Sequence, residues 1–195
     1  MTFHLFVSIY SRMTNEDNII IQRIRNGKTQ EFGLLVNRHG PSLMLFVGRI
    51  IEQQKDVEDV VQNTFVAAYE HMKDFDSQKA SLLTWLQRIA YHESLYHLRK
   101  RKRQLLLPLD VGDDIPDELP EATTAEQLDE AIQKLTSEEQ MLLQLYYYDG
   151  RPLKEIAYIT GKAGDSLNRE VSRLSSQLHR IRQKLRIILT RLNNE

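Results

Sequence analysis

Five consecutive cations, Arg99, Lys100, Arg101, Lys102 and Arg103, stand out as residues able to do chemistry, and Phe75, Trp85 and Tyr91 lie shortly upstream. Cations that hold a phosphate backbone, combined with π-faces that accept unstacked bases, are what single-stranded nucleic acid requires. At helical spacing with Leu82 and Ile89, Trp85 also fits a core position, and five cations at a helix end also fit a solvated tail. A second candidate runs from Pro152 to about Leu174. Small Ala157 stands where two helices would cross, Gly161 at a turn, and Leu167 and Val171 where they would face the core. That is the layout of a helix-turn-helix whose second helix enters the major groove. A plain helical hairpin shows the same small residue and glycine. The third candidate is the acidic set Asp56, Glu58 and Asp59, which suits either docking on a partner or a solvated first helical turn. Nothing nearby completes a coordination sphere, so no metal is expected there.

No residues mark a catalyst. There is no Ser-His-Asp order, glycine-rich phosphate loop or zinc-type spacing, no cysteine at all, and the six histidines are scattered. The expectation is a protein without enzymatic activity, metal or cofactor. The lack of cysteine is compatible with a reducing cytoplasm. The apolar stretch from Phe3 to Tyr10 is about eight residues long and has no basic flank before it, whereas a spanning helix needs ~20, so no membrane insertion is expected.

The elements that must position these candidates are helical. Eight Gly and five Pro in 195 residues are too few for a sandwich or barrel, and 41% hydrophobic residues suffice to build cores. A net charge of −1 argues by itself against nucleic acid, but the charge is segregated. Between Gln104 and Glu126 there are seven acids and no Lys or Arg; taking those acids away leaves +6 on the rest. Two basic ends are joined by an acidic strap.

Periodicity predicts a first helix over about 15–26, opened by Thr14 with Asp17 in the reciprocal capping position, carrying Ile20, Ile21 and Ile24, and stopped by Gly27. A short helix capped by Thr29 carries Phe32, Leu35 and Val36, and Pro41 starts another that buries Leu45, Phe46 and Ile50. From Asp56 to about Met72, Val57, Val60, Val61, Phe65, Ala68 and Met72 fall on one side, with Glu58, Asp59, Gln62 and Asn63 elsewhere. Ser81 caps a long helix through Leu82, Trp85, Leu86, Ile89 and Tyr96 to the cationic run, which complements the helix dipole. Beyond it, 105–124 holds three Pro and the acids and reads as a linker. Thr124 caps a helix through Leu128, Ile132 and Leu135; Thr136 to Glu139 form a second capping box leading into Met141, Leu142, Leu145 and Tyr146, with Gly150 as the stop. Pro152 opens a short helix, and after a turn at 162–165 the last one begins at Ser166.

Taken together, DVEDVVQNTF over 56–65, Phe75, TWLQRIA over 84–90 and the cationic run resemble conserved region 2 of the extracytoplasmic-function sigma factors. LTSEE over 135–139, YYDG over 147–150 and KEIAYITG over 154–161 resemble that family's region 4. The resemblance spans about Met13 to Leu178. It implies an all-α fold of two small domains: region 2 over 13–104 and a helix-turn-helix region 4 over 125–195, joined by the acidic linker. Residues 1–12 are left as an extension or the product of a misplaced start codon. It also implies a protein that binds RNA polymerase core and directs promoter recognition and transcription initiation in the cytoplasm, with an anti-sigma protein as inhibitor. Polymerase binding falls on Asp56, Glu58, Asp59, Gln62 and Asn63. Reading and melting of the minus-ten element falls on the loop from Asp74 to Ser81 and on the surface around Arg88, His92 and Arg99. The minus-thirty-five element falls to Ser166, Asn168, Arg169, Glu170 and Arg173.

Two departures from the family pattern bear on this. Asn168 and Glu170 stand where the family usually has basic residues, and Lys162 where it has an apolar one. Leu167, Val171, Leu174, Leu178, Ile181, Leu185, Ile188 and Leu192 repeat as a heptad seam past the family's usual basic ending, which HRIRQKL over 179–185 resembles. Such a helix either packs on its own domain or joins a partner or second copy. An adaptor that binds polymerase without reading promoters, or a stand-alone helix-turn-helix regulator dimerised by the seam, are the competing readings.

Overall fold

The computed structural model describes residues 15–105, 124–161 and 166–192, with side chains of the long basic helix followed as far as Arg101. Thr14, residues 1–12, Lys102, Arg103, the linker from Leu106 and the turn at 162–165 lie outside the described backbone or side chains. The chain divides into two units, Met1–Leu105 and Leu106–Glu195. Every described regular element is helical.

Unit 1 begins with α1 over 15–25, whose Ile20, Ile21 and Ile24 are buried and which ends at Gly27, held at φ 95° where only glycine sits without strain. Asp17 reaches beyond its own helix. It is buried and its two oxygens take Arg38 Nη1 at 2.6 Å and His39 Nε2 at 2.9 Å, tying α1 to the next helix. That next helix, α2 (Phe32–Gly48), follows a 3-10 turn at Thr29–Glu31 and runs straight through Pro41. The predicted break is therefore absent. Pro41 cannot donate to the carbonyl of Asn37, a cost of about 3 kcal/mol, but Leu35, His39, Leu43, Phe46 and Val47 form one buried stripe on both sides of it. With a single phase across the proline, Leu45 points outward, 70% exposed, rather than into the core.

The helix α3 (Gln54–Glu70) starts two residues before Asp56 and buries Val57, Val60, Val61, Thr64, Phe65 and Ala68 against α2 and α4. Thr64 satisfies its hydroxyl on the Val60 carbonyl at 2.7 Å, so a polar residue sits inside at little cost. After a 3-10 turn at Met72–Asp74, Ser81 Oγ accepts from the Thr84 amide at 3.1 Å and opens α4 (Leu82–Leu105). Its core side is Leu82, Trp85, Leu86, Ala90, Tyr91 and Leu95; Tyr96, one residue out of phase, is 65% exposed.

Unit 2 opens with α5 (Ala125–Gln133) and α6 (Ser137–Leu143), each preceded by a complete capping box, Thr124 with Gln127 and Thr136 with Glu139. Ala131 and Leu135 carry the burial of the first, while Leu128 is exposed. α6 passes into a wide π turn, Gln144–Tyr148, and this change of pitch turns Tyr146 outward. Gly150, at φ 63°, reverses the chain into α7 (Leu153–Thr160), and α8 (Leu167–Leu192) packs across α5 and α7.

Of the expected heptad seam, Leu174, Leu178 and Ile181 are buried within unit 2, whereas Leu167, Val171, Leu185, Ile188 and Leu192 are half-buried; Glu170 and Leu189, outside the seam, are buried as well. An α-helix turns by 3.6 residues, so the stripe facing α7 at the start of α8 is the 170-174-178-181 row.

Candidate functional site

The outer side of α3 presents Glu58, Asp59, Gln62 and Asn63 to solvent, directly opposite its sealed apolar side. Asp56 behaves differently. Its Oδ2 lies 3.2 Å from His97 Nε2 and 3.7 Å from Arg101 Nη1, both on α4, and its side chain is only 21% exposed. Asp56, Asp59, Gln62 and Asn63 thus form one wall of a groove of about 530 Å³ whose other wall is His97, Lys100 and Arg101. The sequence keeps the acidic set and the cationic run more than 35 residues apart; packing of α3 on α4 brings them face to face. Along the other edge of α3, Phe32, Val36, Met44, Val61, Phe65, Val66 and Tyr69 line an apolar groove of about 560 Å³, with Glu58 and Gln62 at its border. Half-exposed Val66 and Tyr69 make it an apolar patch beside an acidic one.

The aromatic trio is not available for stacking. Phe75, Trp85 and Tyr91 are all buried, with the Phe75 and Trp85 rings 5.4 Å apart, so they build the floor under the loop from Asp74 to Ser81. That loop is well ordered by its own bonds: Asp76 accepts from the Gln78 amide at 3.0 Å through its side chain and from the Lys79 amide at 3.0 Å through its carbonyl. Arg88 and His92 are half-buried on α4 and Arg99, Lys100 and Arg101 are exposed. The helix backbone continues under Lys102 and Arg103.

In unit 2, Ala157 and Gly161 sit where α7 meets α8. A Cβ at Gly161 would lie 2.6 Å from the carbonyl oxygen of Ala157, in the last turn of α7 itself, and 3.3 Å from Glu170 Cγ of α8, so the end of α7 has room only for glycine. Ser166, Asn168, Arg169 and Arg173 are exposed on the first turns of α8. Glu170 is not among them. Its side chain is buried against the α7 turn and binds Arg173 through both carboxylate oxygens, while Arg173 Nη1 also reaches Gln177 at 3.2 Å. Its acid therefore turns inward and holds an arginine in place on the outer face of α8.

Three residues that local pattern does not reveal matter here. His97 closes the groove opposite Asp59, Asp17 locks α1 to α2, and Arg25 of α1 binds carbonyls 47 to 50 residues away. No spacing rule can flag a side chain whose partners are distant backbone. Among the described residues no group of His, Asp and Glu is placed to hold a metal, and no helix is long and apolar enough to cross a membrane.

Residues 35–104 match the family model described as Sigma-70 region 2. Over the whole chain the similarity continues. The ECF RNA polymerase sigma factor SigF of Caulobacter vibrioides is 30% identical over 69% of this chain and 78% of its own length. RNA polymerase sigma factor NccH of Alcaligenes xylosoxydans xylosoxydans is 27% identical over 88% and 97%. Among solved structures, CnrH in complex with the cytosolic domain of CnrY is 27% identical, covers 89% of this chain and 97% of that one, and superposes with a TM-score of 0.55. The chain belongs to the ECF RNA polymerase sigma factors. It is a sigma factor, directing transcription initiation.

Proposed function

We propose that unit 1 docks on RNA polymerase core through the outer face of α3, using Glu58, Asp59, Gln62 and Asn63 with Asp56 at its edge, and with the adjoining apolar groove excluding water from the contact. The observation that carries this is the division of α3 itself: one side packs into the core, and the other displays Glu58, Asp59, Gln62 and Asn63 to solvent. Complementary charge on a partner gives such a face orientation and rate, and the apolar border gives affinity. The loop from Asp74 to Ser81 and the α4 surface of Arg88, His92, Arg99, Lys100 and Arg101, continued by Lys102 and Arg103, then face the melted minus-ten element. Cations there hold phosphates. Ser166, Asn168, Arg169 and Arg173 of α8 face the minus-thirty-five element in the major groove, as the second helix of a helix-turn-helix does.

The protein catalyses nothing itself, works in the cytoplasm, and is held in check by an anti-sigma protein; its structural relative CnrH is solved in complex with another protein, the cytosolic domain of CnrY. The test is transcription in vitro from a library of genomic promoter fragments, using purified polymerase core with and without this protein and with Asp59→Arg. Initiation at new sites sharing a sequence, reduced about ten-fold or more by the charge reversal, supports the proposal. Binding to core without any initiation refutes it and leaves a polymerase-binding adaptor.

A further inference from the structure

The loop from Asp74 to Ser81 is fastened at its far end by the Ser81 cap of α4 and at its near end by a residue from another helix altogether. Arg25, on the last turn of α1, donates Nη2 to the carbonyls of Met72 at 2.9 Å, Lys73 at 3.4 Å and Phe75 at 2.6 Å, with Nε also 3.3 Å from the Met72 carbonyl. These carbonyls close the 3-10 turn Met72–Asp74, where the backbone runs out of internal donors and carries partial negative charge. A guanidinium is suited to this place. Its planar fork offers several donors at fixed angles, so one side chain orients three peptide groups within a single turn, which a lysine's point charge cannot do. Beyond Phe75, whose ring is buried on Trp85, the chain emerges as the exposed part of the loop, and a polar cleft of about 260 Å³ lies between it and Asn18, Gln22 and Arg25 of α1.

We propose that Arg25 is a positioning residue for promoter reading: by holding the Met72, Lys73 and Phe75 carbonyls it sets the direction in which the loop from Asp74 to Ser81 presents its side chains to the melted strand. It touches no base itself. The inference rests on the reading that this loop contacts the minus-ten element. It makes α1 part of the reading apparatus, although α1 lies 50 residues before the loop and before the 35–104 span of the family match.

The test uses the full chain with polymerase core on the genomic promoter library, comparing Arg25→Gln, Arg25→Lys and the loop variants Gln78→Ala and Lys79→Ala. Losing a charge-assisted hydrogen-bond set of this kind corresponds to about a ten-fold effect. Arg25→Gln is expected to lower initiation by about that factor, to flatten base preference at the minus-ten positions, and to leave binding to core within about two-fold. Arg25→Lys recovers part of the initiation, and hydrogen exchange quickens at the loop amides of 76–81 while α2 and α3 stay protected. The proposal is overturned if Arg25→Gln loses initiation only in proportion to core binding, or leaves both the base preference and the loop exchange unchanged while the loop variants shift the preference. If the loop variants themselves leave the minus-ten preference untouched, the underlying reading of the loop fails and the proposal with it.

Discussion

Replacing Gly161 by Ala is the sharpest local perturbation of unit 2. Gly161 has φ −66° and ψ 151°, a conformation any residue adopts, so backbone freedom is not what the site asks of glycine. Space is. The added methyl would stand 2.6 Å from the Ala157 carbonyl oxygen, a backbone atom of the last turn of α7, and 3.3 Å from Glu170 Cγ. Overpacking of this kind costs about 1–3 kcal/mol, and the loss of chain entropy in the unfolded state returns about 0.4–1 kcal/mol. The net is a destabilisation of roughly 1–2 kcal/mol, or a fall in Tm of about 4–15 °C for a unit of this size. The methyl also pushes Glu170 and with it Arg173, so binding to minus-thirty-five DNA drops alongside. The only tryptophan, Trp85, lies in the core of unit 1 and supplies an internal control. In thermal unfolding, far-UV circular dichroism should show an early component while Trp85 fluorescence melts as in the wild type. A variant as stable as the parent, or more so, would mean that the end of α7 has room for a side chain, and the overpacking inferred at Gly161 would be refuted.

Two more outcomes follow from charged groups. Asp56→Asn releases Arg101 and His97 from their shared carboxylate and should tighten binding of the full chain to single-stranded DNA about two- to five-fold, with a steeper salt dependence as one more cation reaches phosphate. Glu58→Gln removes the same charge from a residue that faces away from α4, so an equal gain there would refute the pairing in favour of net charge. Burial pushes the Glu139 carboxyl up, but the Thr136 backbone amide and the Lys184 ammonium, 2.9 Å away, outweigh it and leave the group below its ordinary value of 4.5. A carboxyl lowered in the folded state stabilises fully above its unfolded value and loses that contribution as pH falls through the folded one. Unit 2 should therefore weaken as pH drops below about 4.5, and Lys184→Met should flatten that fall in denaturant midpoints measured against pH; an unchanged slope would reject the pair as its cause.

Much of the fold is written in single stretches of chain. Capping boxes at Thr124 and Thr136, the Ser81 cap, the stop at Gly27 and the turn at Gly150 are local, because each needs only a hydroxyl, a carboxylate or a missing Cβ within a few residues. The inward stripe of α3 was legible for the same reason, since periodicity of apolar residues is a local quantity. Pro41 shows the limit: a rule about proline predicts a helix start, and burial of Leu35, His39, Leu43 and Phe46 on a common stripe overrides it. Tyr96 and Tyr146 share helical spacing with apolar neighbours and yet lie outside, because a one-residue change of phase or a π turn moves a side chain by about 100°.

What the sequence alone determined is therefore the helical class, the division into two basic ends joined by an acidic strap, and the exposure of the acids and amides of α3 and of the cations of α4. Only the tertiary structure decided which of those residues meet. It set Asp56 against Arg101, turned Glu170 inward to brace Arg173, buried Leu174, Leu178 and Ile181 of the heptad seam within unit 2, and placed Arg25 on the carbonyls that precede the loop. The physical reason is that capping and amphipathicity act over a turn or two of helix, whereas ion pairs and backbone carbonyls far apart in sequence find their partners only once the packed helices have brought them within 3 to 4 Å.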